Sequence, residues 1–131
     1  MGNLIKEYDY IVIDNEAGLE HLSRRTTRSL NALVVVSDAT VVGLKAAKRI
    51  GELTKALKIE TGKELLLINR HNKELEETKV EGVQLNFLGC LPVDREIEKI
   101  SLNGNSMMGL SNKASSLFAL RRIGEKIWQR S

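Results

Sequence analysis

The sequence predicts an α/β fold in which a mostly parallel sheet of about four strands is flanked by helices. Two observations predict this fold class. Short, nearly continuous apolar runs are typical of strands that are buried on both faces. Amphipathic helical patterns lie between these runs, and such alternation favours parallel strands joined by helical crossovers.

Four apolar runs give the predicted strands. The first three are rich in β-branched residues or leucine. The fourth shows a weak alternation of apolar and other residues and is expected nearer a sheet edge. The runs are Tyr10–Ile13, Ala32–Val36, Glu64–Ile68 and Val83–Leu91.

Apolar residues spaced three and four apart predict three helices between and after the strands. The first spans about residues 19–30. The second spans residues 44–57, with Thr40 as its N-cap. The third begins near residues 111–115 and continues to Ile127. Residues 74–79 fit either a short helix or a loop, and the Gly-, Asn- and Ser-rich residues 101–113 predict a loop.

Length and composition indicate one ordinary domain over residues 1–131. The net charge of +3 arises from interspersed acids and bases, so it does not indicate a nucleic-acid partner. The single cysteine, Cys90, excludes an internal disulfide and fits a reducing compartment, which predicts a cytoplasmic protein. No apolar run has the length of a membrane span, so we expect no membrane partner.

Polar residues follow every predicted strand, and ligands of open parallel sheets bind beyond the carboxyl ends of the strands. Taken singly, these residues are equally well explained as helix caps and turns. Together they favour a ligand site. The residues that follow the four strands are Asp14–Gly18, Ser37–Thr40, Asn69–His71 and Pro92–Arg95.

Asp14 and Gly18 suit a Mg²⁺–nucleoside triphosphate. A carboxylate supplies the oxygen ligand that Mg²⁺ prefers. A glycine lets a backbone N–H approach a phosphate oxygen, and the helix that follows adds free N–H groups.

Four stretches, in order, resemble the deviant P-loop ATPases of the MinD, ParA and nitrogenase iron-protein class. They are most similar to the CooC-type ATPases, which assist nickel insertion into carbon monoxide dehydrogenase. DYIVIDNEAGLEHLSRRT resembles the switch II region, and ALVVVSDATVVGLKAAKRIGEL resembles the next strand and helix. LLLINR resembles the strand whose asparagine contacts adenine, and LGCLPVDREI resembles the loop beside adenine and ribose. The resemblance implies a partial P-loop NTPase fold, from switch II to the adenine loop and the final helix.

The resemblance also implies roles for the matching residues, with ATP or ADP and Mg²⁺ as cofactors. Asp14 would be the catalytic switch II acid near Mg²⁺ and the attacking water. Gly18 would contact the γ-phosphate, and Asn69 would hydrogen-bond the base. The base and ribose pocket would be lined by Pro92, Val93 and Asp94.

The sequence contains no G-x-x-x-x-G-K-[ST] motif, because Gly62-Lys63 is followed by Glu64. Phosphate positioning carries most of phosphoryl transfer, so we expect weak nucleotide binding and little or no ATP hydrolysis by this chain alone. We expect a truncated or separately encoded C-terminal half whose P-loop half is missing. An exposed strand edge would then recruit a second copy, giving a homodimer, or the missing N-terminal half. A client metalloenzyme is the further partner that the resemblance implies.

Two alternatives remain open. The first is a non-catalytic interaction or regulatory module that docks a partner through residues 101–128 or through Arg24, Arg25 and Arg28. The second is a flavodoxin- or receiver-like domain with Asp14 as phosphoacceptor. The second fits the strand and helix alternation but lacks an adjacent acidic pair and a lysine after a late strand.

Overall fold

The computed structural model describes residues 7–15, 29–72 and 80–128. This part of the chain contains a three-stranded parallel sheet in the order β1-β2-β3 and three α-helices. The strands are β1 (Ser29–Ser37), β2 (Glu60–Ile68) and β3 (Asn86–Cys90). The helices are α1 (Val41–Ala56), α2 (Arg95–Leu102) and α3 (Ser115–Trp128). The predicted α/β class and parallel sheet are confirmed, with one strand fewer than expected.

The strand predicted at Tyr10–Ile13 is not formed. Residues 7–15 have no regular secondary structure, and Tyr10 and Val12 are 66% and 81% exposed. A strand needs a neighbour to satisfy its backbone N–H and C=O groups, and the strands of the described sheet pair only with one another. An apolar run alone therefore does not make a strand at this position.

Element boundaries differ from the sequence pattern at several positions. Leu30, which the apolar spacing assigned to a first helix, lies in β1, and residues 19–28 lie outside the described residues. Residues 74–79 also lie outside them. β2 begins four residues before its predicted start at Glu64, and β3 is shorter than predicted because residues 81–83 form a 3-10 turn.

Two helices begin at capping residues. Thr40 is confirmed as the N-cap of α1, since its Oγ1 accepts a hydrogen bond from the Gly43 N–H at 3.0 Å. Helix α2 was not predicted, although Asp94 caps it and acidic residues lie in its first turn. The predicted loop therefore begins after Leu102, and it includes a 3-10 turn at Met107–Gly109.

The core lies on both faces of β2, whose last four residues are all buried. Strand side chains alternate between faces. Leu66 and Ile68 accordingly join the cluster beneath α1, whereas Leu65 and Leu67 pack with Ile123 of α3. A fully buried Leu or Ile side chain contributes about 1.5–3 kcal/mol, so these residues fix α1 and α3 on opposite faces of the sheet.

Strand β1 is an edge of the described sheet, because its only partner there is β2. Its sequence, SLNALVVVS, has no charge and no proline, which are the features that usually protect an edge. Val36 is 55% exposed. β1 therefore has the composition of an interior strand but the position of an edge strand.

Candidate functional site

The carboxyl ends of the three strands meet at one edge of the sheet, and backbone hydrogen bonds join the loops beyond them. The Asn69 N–H donates to the Ser37 carbonyl at 2.7 Å. The Leu91 N–H donates to the Ile68 carbonyl at 2.8 Å, and the His71 N–H donates to the Leu91 carbonyl at 2.9 Å. The loops after β2 and β3, which carry the predicted base-binding residues, therefore lie side by side.

Asn69 lies exposed at the end of β2. Its Oδ1 accepts a hydrogen bond from the Arg70 N–H at 2.9 Å, and Arg70 has a φ of 57°, so the chain turns sharply here. With Oδ1 engaged, Nδ2 supplies the donors that this carboxamide can offer a ligand. The Arg70 guanidinium lies 3.5 Å from Glu98 of α2, but both side chains are exposed and the pair stabilises the loop little.

Asn72 is a site residue that the sequence prediction missed. Its Oδ1 accepts a hydrogen bond from the Val93 N–H at 2.8 Å and so ties the loop after β2 to the loop after β3. A second asparagine just beyond a strand is a signal for such a backbone contact, since asparagine side chains often bond to nearby loops. Pro92 and Val93 are half-buried in the loop that Asn72 holds.

The Asp94 carboxylate joins the N-termini of α2 and α3. Its Oδ1 accepts from the Glu96 N–H at 2.9 Å. Its Oδ2 accepts from the Ser116 N–H at 3.0 Å, from the Ser116 hydroxyl at 2.8 Å and from the Ser115 hydroxyl at 3.1 Å. The Ser116 amide and hydroxyl, followed by Glu96 and Ser115, hold the pKa of Asp94 well below its usual range. Both oxygens therefore serve as helix caps, and the ribose contact predicted for Asp94 remains a prediction.

A second capping arrangement follows β1. Asp38 Oδ1 accepts hydrogen bonds from both the hydroxyl and the N–H of Thr40, and these bonds lower the pKa of Asp38. Gly43 lies directly beneath this carboxylate, where a side-chain carbon would clash with Asp38 Oδ1. Asp38 and Thr40 therefore act locally, as the cap interpretation of strand-end residues expected.

The switch II candidates are only partly described. Asp14 lies exposed in the irregular segment 7–15, and Gly18 lies outside the described residues. The Tyr10 ring packs edge-on against Trp128 at the end of α3, with ring centroids 4.7 Å apart. This contact attaches the segment to the body of the protein, while the Asp14–Gly18 pairing stays a prediction.

Two further properties concern the described residues alone. They contain no group of three or more His, Cys, Asp or Glu side chains arranged to hold a metal ion. Within the same residues, no helix is long and apolar enough to cross a membrane.

Sequence comparison relates the chain to ATP-binding proteins. It is 38% identical over 128 residues to an uncharacterized ATP-binding protein of Methanocaldococcus jannaschii, covering 95% of this chain and 51% of that protein. It is 31% identical over 132 residues to the carbon monoxide dehydrogenase accessory protein CooC of Rhodospirillum rubrum, covering 92% of this chain and 48% of CooC. The chain thus spans about half the length of these relatives. No protein-family model matches it.

Structure comparison relates the fold to the septum site-determining protein MinD. The MinD of Pyrococcus horikoshii, solved as a complex with Mg-ADP, matches with a TM-score of 0.60 at 16% identity, covering 76% of this chain and 42% of MinD. At this identity the match establishes the fold alone. The predicted resemblance to CooC- and MinD-like P-loop ATPases is confirmed by the sequence and fold similarities together.

Proposed function

From the premise that this chain is a half-length relative of the CooC- and MinD-like P-loop ATPases, we propose that it forms the base-binding half of an ATP-dependent protein. The observation that carries this proposal is the junction of the Asn69 loop with the Leu91–Asp94 loop at the carboxyl edge of the sheet. Ligands of parallel α/β sheets bind at this edge. By similarity to CooC, the cytoplasmic process would be nickel insertion into carbon monoxide dehydrogenase, the client metalloenzyme.

Some of the candidate residues fit an adenine nucleotide better than others. The Asn69 carboxamide is exposed and has donors for a base edge. Pro92 and Val93 offer a half-buried apolar wall. The exposed Asp14 carboxylate suits one Mg²⁺ ligand position, and Mg²⁺ commonly takes its other ligands from phosphate and water. Asp94 fits less well as a ribose ligand, because its oxygens cap α2 and α3.

Gly18 would bring a backbone N–H to the γ-phosphate, as the resemblance to the switch II region implies. Asp14 would orient the attacking water and neutralise charge at the metal. Neither group replaces a P-loop, which positions the β- and γ-phosphates. The chain alone should therefore bind ADP or ATP weakly and hydrolyse ATP slowly or not at all.

The partner that completes the site would bind at β1, which is an edge of the described sheet. An inserted strand has two edges, so it could pair with both β1 and the unpaired apolar residues Tyr10–Ile13. A second copy of the chain pairing β1 with β1 would leave Tyr10–Ile13 unpaired. This difference favours a P-loop half over a homodimer as the partner of β1.

Mixing the chain with the N-terminal half of the Methanocaldococcus jannaschii relative tests the partner. We expect a one-to-one complex in sedimentation velocity and ATP hydrolysis that neither part shows alone. Val36→Lys, at the β1 edge, should block association, whereas Val42→Lys, on an exposed position of α1, should not. If the chain associated only with a second copy of itself, and Val36→Lys blocked this association, the result would instead support the homodimer.

Isothermal titration calorimetry with Mg-ADP tests base binding. Asn69→Ala removes one or two hydrogen bonds of about 1 kcal/mol each, so the Kd for ADP should rise roughly 5- to 30-fold. Asn103→Ala is the matched control, because this exposed asparagine lies at the far end of α2. Equal affinity of the wild type and Asn69→Ala would contradict the assignment of Asn69 to the base.

A non-catalytic interaction module is the second candidate. Leu102, the last residue of α2, and Met108, in the loop that follows, are 87% and 94% exposed, and exposed apolar residues commonly mark partner sites where they form a patch. Arg24, Arg25 and Arg28 lie outside the described residues. This function would be favoured over nucleotide binding if calorimetry detected no heat of Mg-ADP binding and if Met108→Ser abolished binding to the client.

A further inference from the structure

We propose that Asn72 strengthens the adenine preference of the nucleotide site by removing a hydrogen-bond donor from the loop after β3. The inference rests on the proposed function, since it concerns the base that the site accepts. It assigns to Asn72 a positioning role in specificity, exerted through the Val93 backbone.

The loop after β3 offers no free backbone N–H over three consecutive residues. The Leu91 N–H is bonded to the Ile68 carbonyl at 2.8 Å. Pro92 has no N–H. The Val93 N–H is bonded to Asn72 Oδ1 at 2.8 Å. The backbone of this stretch can therefore offer a ligand only carbonyl oxygens, which are acceptors.

An acceptor-only surface distinguishes the two purines at position 6. Adenine presents an amino donor there, whereas guanine presents a carbonyl oxygen. The amino group can donate to the Pro92 or Val93 carbonyl, but the guanine oxygen would face another oxygen without a donor. An unpaired, desolvated polar group is costly, so the site should reject guanine.

Asn69 acts separately from this loop. Its Oδ1 accepts from the Arg70 N–H and has a second lone pair that can accept from the adenine amino group, whereas its Nδ2 donors suit N7 of both purines. Two hydrogen bonds occupy the backbone N–H groups of Leu91 and Val93, and only the bond to Asn72 involves a side chain. Asn72 is thus the position at which a substitution can release a donor while the backbone bonds between the loops persist.

The test measures the affinities of Mg-ADP and Mg-GDP by calorimetry for the wild type, Asn72→Ala and Asn72→Asp. Loss or gain of one hydrogen bond changes affinity by about threefold to tenfold, so the wild type should prefer ADP by about tenfold. In Asn72→Ala the released Val93 N–H can donate to the guanine oxygen, and the ADP preference should fall by about threefold or more.

Asn72→Asp is the matched control, because a carboxylate oxygen can accept from Val93 in the same place. Its added charge acts on the identical diphosphates of both nucleotides, so the ratio of the two affinities should stay near the wild-type value. Exchange of the Val93 amide hydrogen, followed by NMR, should be slow in the wild type and Asn72→Asp and faster in Asn72→Ala.

The outcomes separate the inference from the function on which it rests. Binding of ADP by the wild type with the same ADP-to-GDP ratio in Asn72→Ala overturns the inference and leaves the proposed function intact. Failure of the wild type to bind either nucleotide overturns both. A ratio that falls equally in Asn72→Ala and Asn72→Asp assigns the effect to loop distortion and also overturns the inference.

Discussion

Replacing Ile123 with alanine should loosen α3 from the sheet. Ile123 is 5% exposed and packs on Leu65, Leu67 and Leu88. It also lies against Gly89, where a side-chain carbon would be 3.4 Å from Ile123 Cγ1. The substitution removes three carbons from this contact, which costs about 2.5 kcal/mol in transfer free energy at about 0.8 kcal/mol per carbon.

The cavity left behind adds to this loss, so the free energy of unfolding should fall by about 3 kcal/mol in total. Urea unfolding followed by circular dichroism measures the change. With an m-value of about 1.5 kcal/mol/M, the midpoint should shift by about 2 M. Ile123→Val, which removes one carbon, should cost only about 1 kcal/mol.

Leu120→Ala is the control on the same helix, because Leu120 is 47% exposed. Substitutions at exposed positions usually change stability by less than about 0.5 kcal/mol. Equal destabilisation by Leu120→Ala and Ile123→Ala would refute the assignment of Ile123 to the buried face of α3. Because α3 also carries the serines that bind Asp94, loss of its packing should weaken nucleotide binding as well.

Three further perturbations follow from the described contacts. Because the folded-state pKa of Asp94 is depressed, its contribution to stability is present above the ordinary aspartate pKa of 3.8 and is lost as pH falls toward the folded pKa. The Tm measured from pH 7 to 2 should therefore fall less in Asp94→Asn than in the wild type. Gly62→Ala should lower the free energy of unfolding in urea by about 1–3 kcal/mol, because the added Cβ would lie 2.6 Å from the Asn31 carbonyl oxygen. Gly82→Ala is the control and should be tolerated, because a Cβ at this position would have no atom within 4 Å. Thr40→Ala should cost about 1 kcal/mol in the same assay through loss of the α1 N-cap, and Thr40→Ser should restore most of it.

The sequence determined the fold class and the location of the candidate site. The continuous apolar runs at Ala32–Val36 and Glu64–Ile68 predicted buried parallel strands, and both are strands. Spacing and a capping residue predicted α1, because these signals are local and act within one helix. Asn69 and Pro92 were expected to share one sheet edge, and the hydrogen-bonded loops bring their segments together.

The tertiary structure decided what depends on distant partners. Tyr10–Ile13 is apolar, but it forms no strand because strand structure requires a neighbouring backbone. Asp94 was assigned to ribose on the strength of its motif, whereas serines 21 and 22 positions later in the chain occupy its Oδ2 and Glu96 occupies its Oδ1. Asn72 bonds to Val93 across the same sequence distance. Such bonds arise when strands and helices pack, so a one-dimensional pattern specifies the residue types but not their partners.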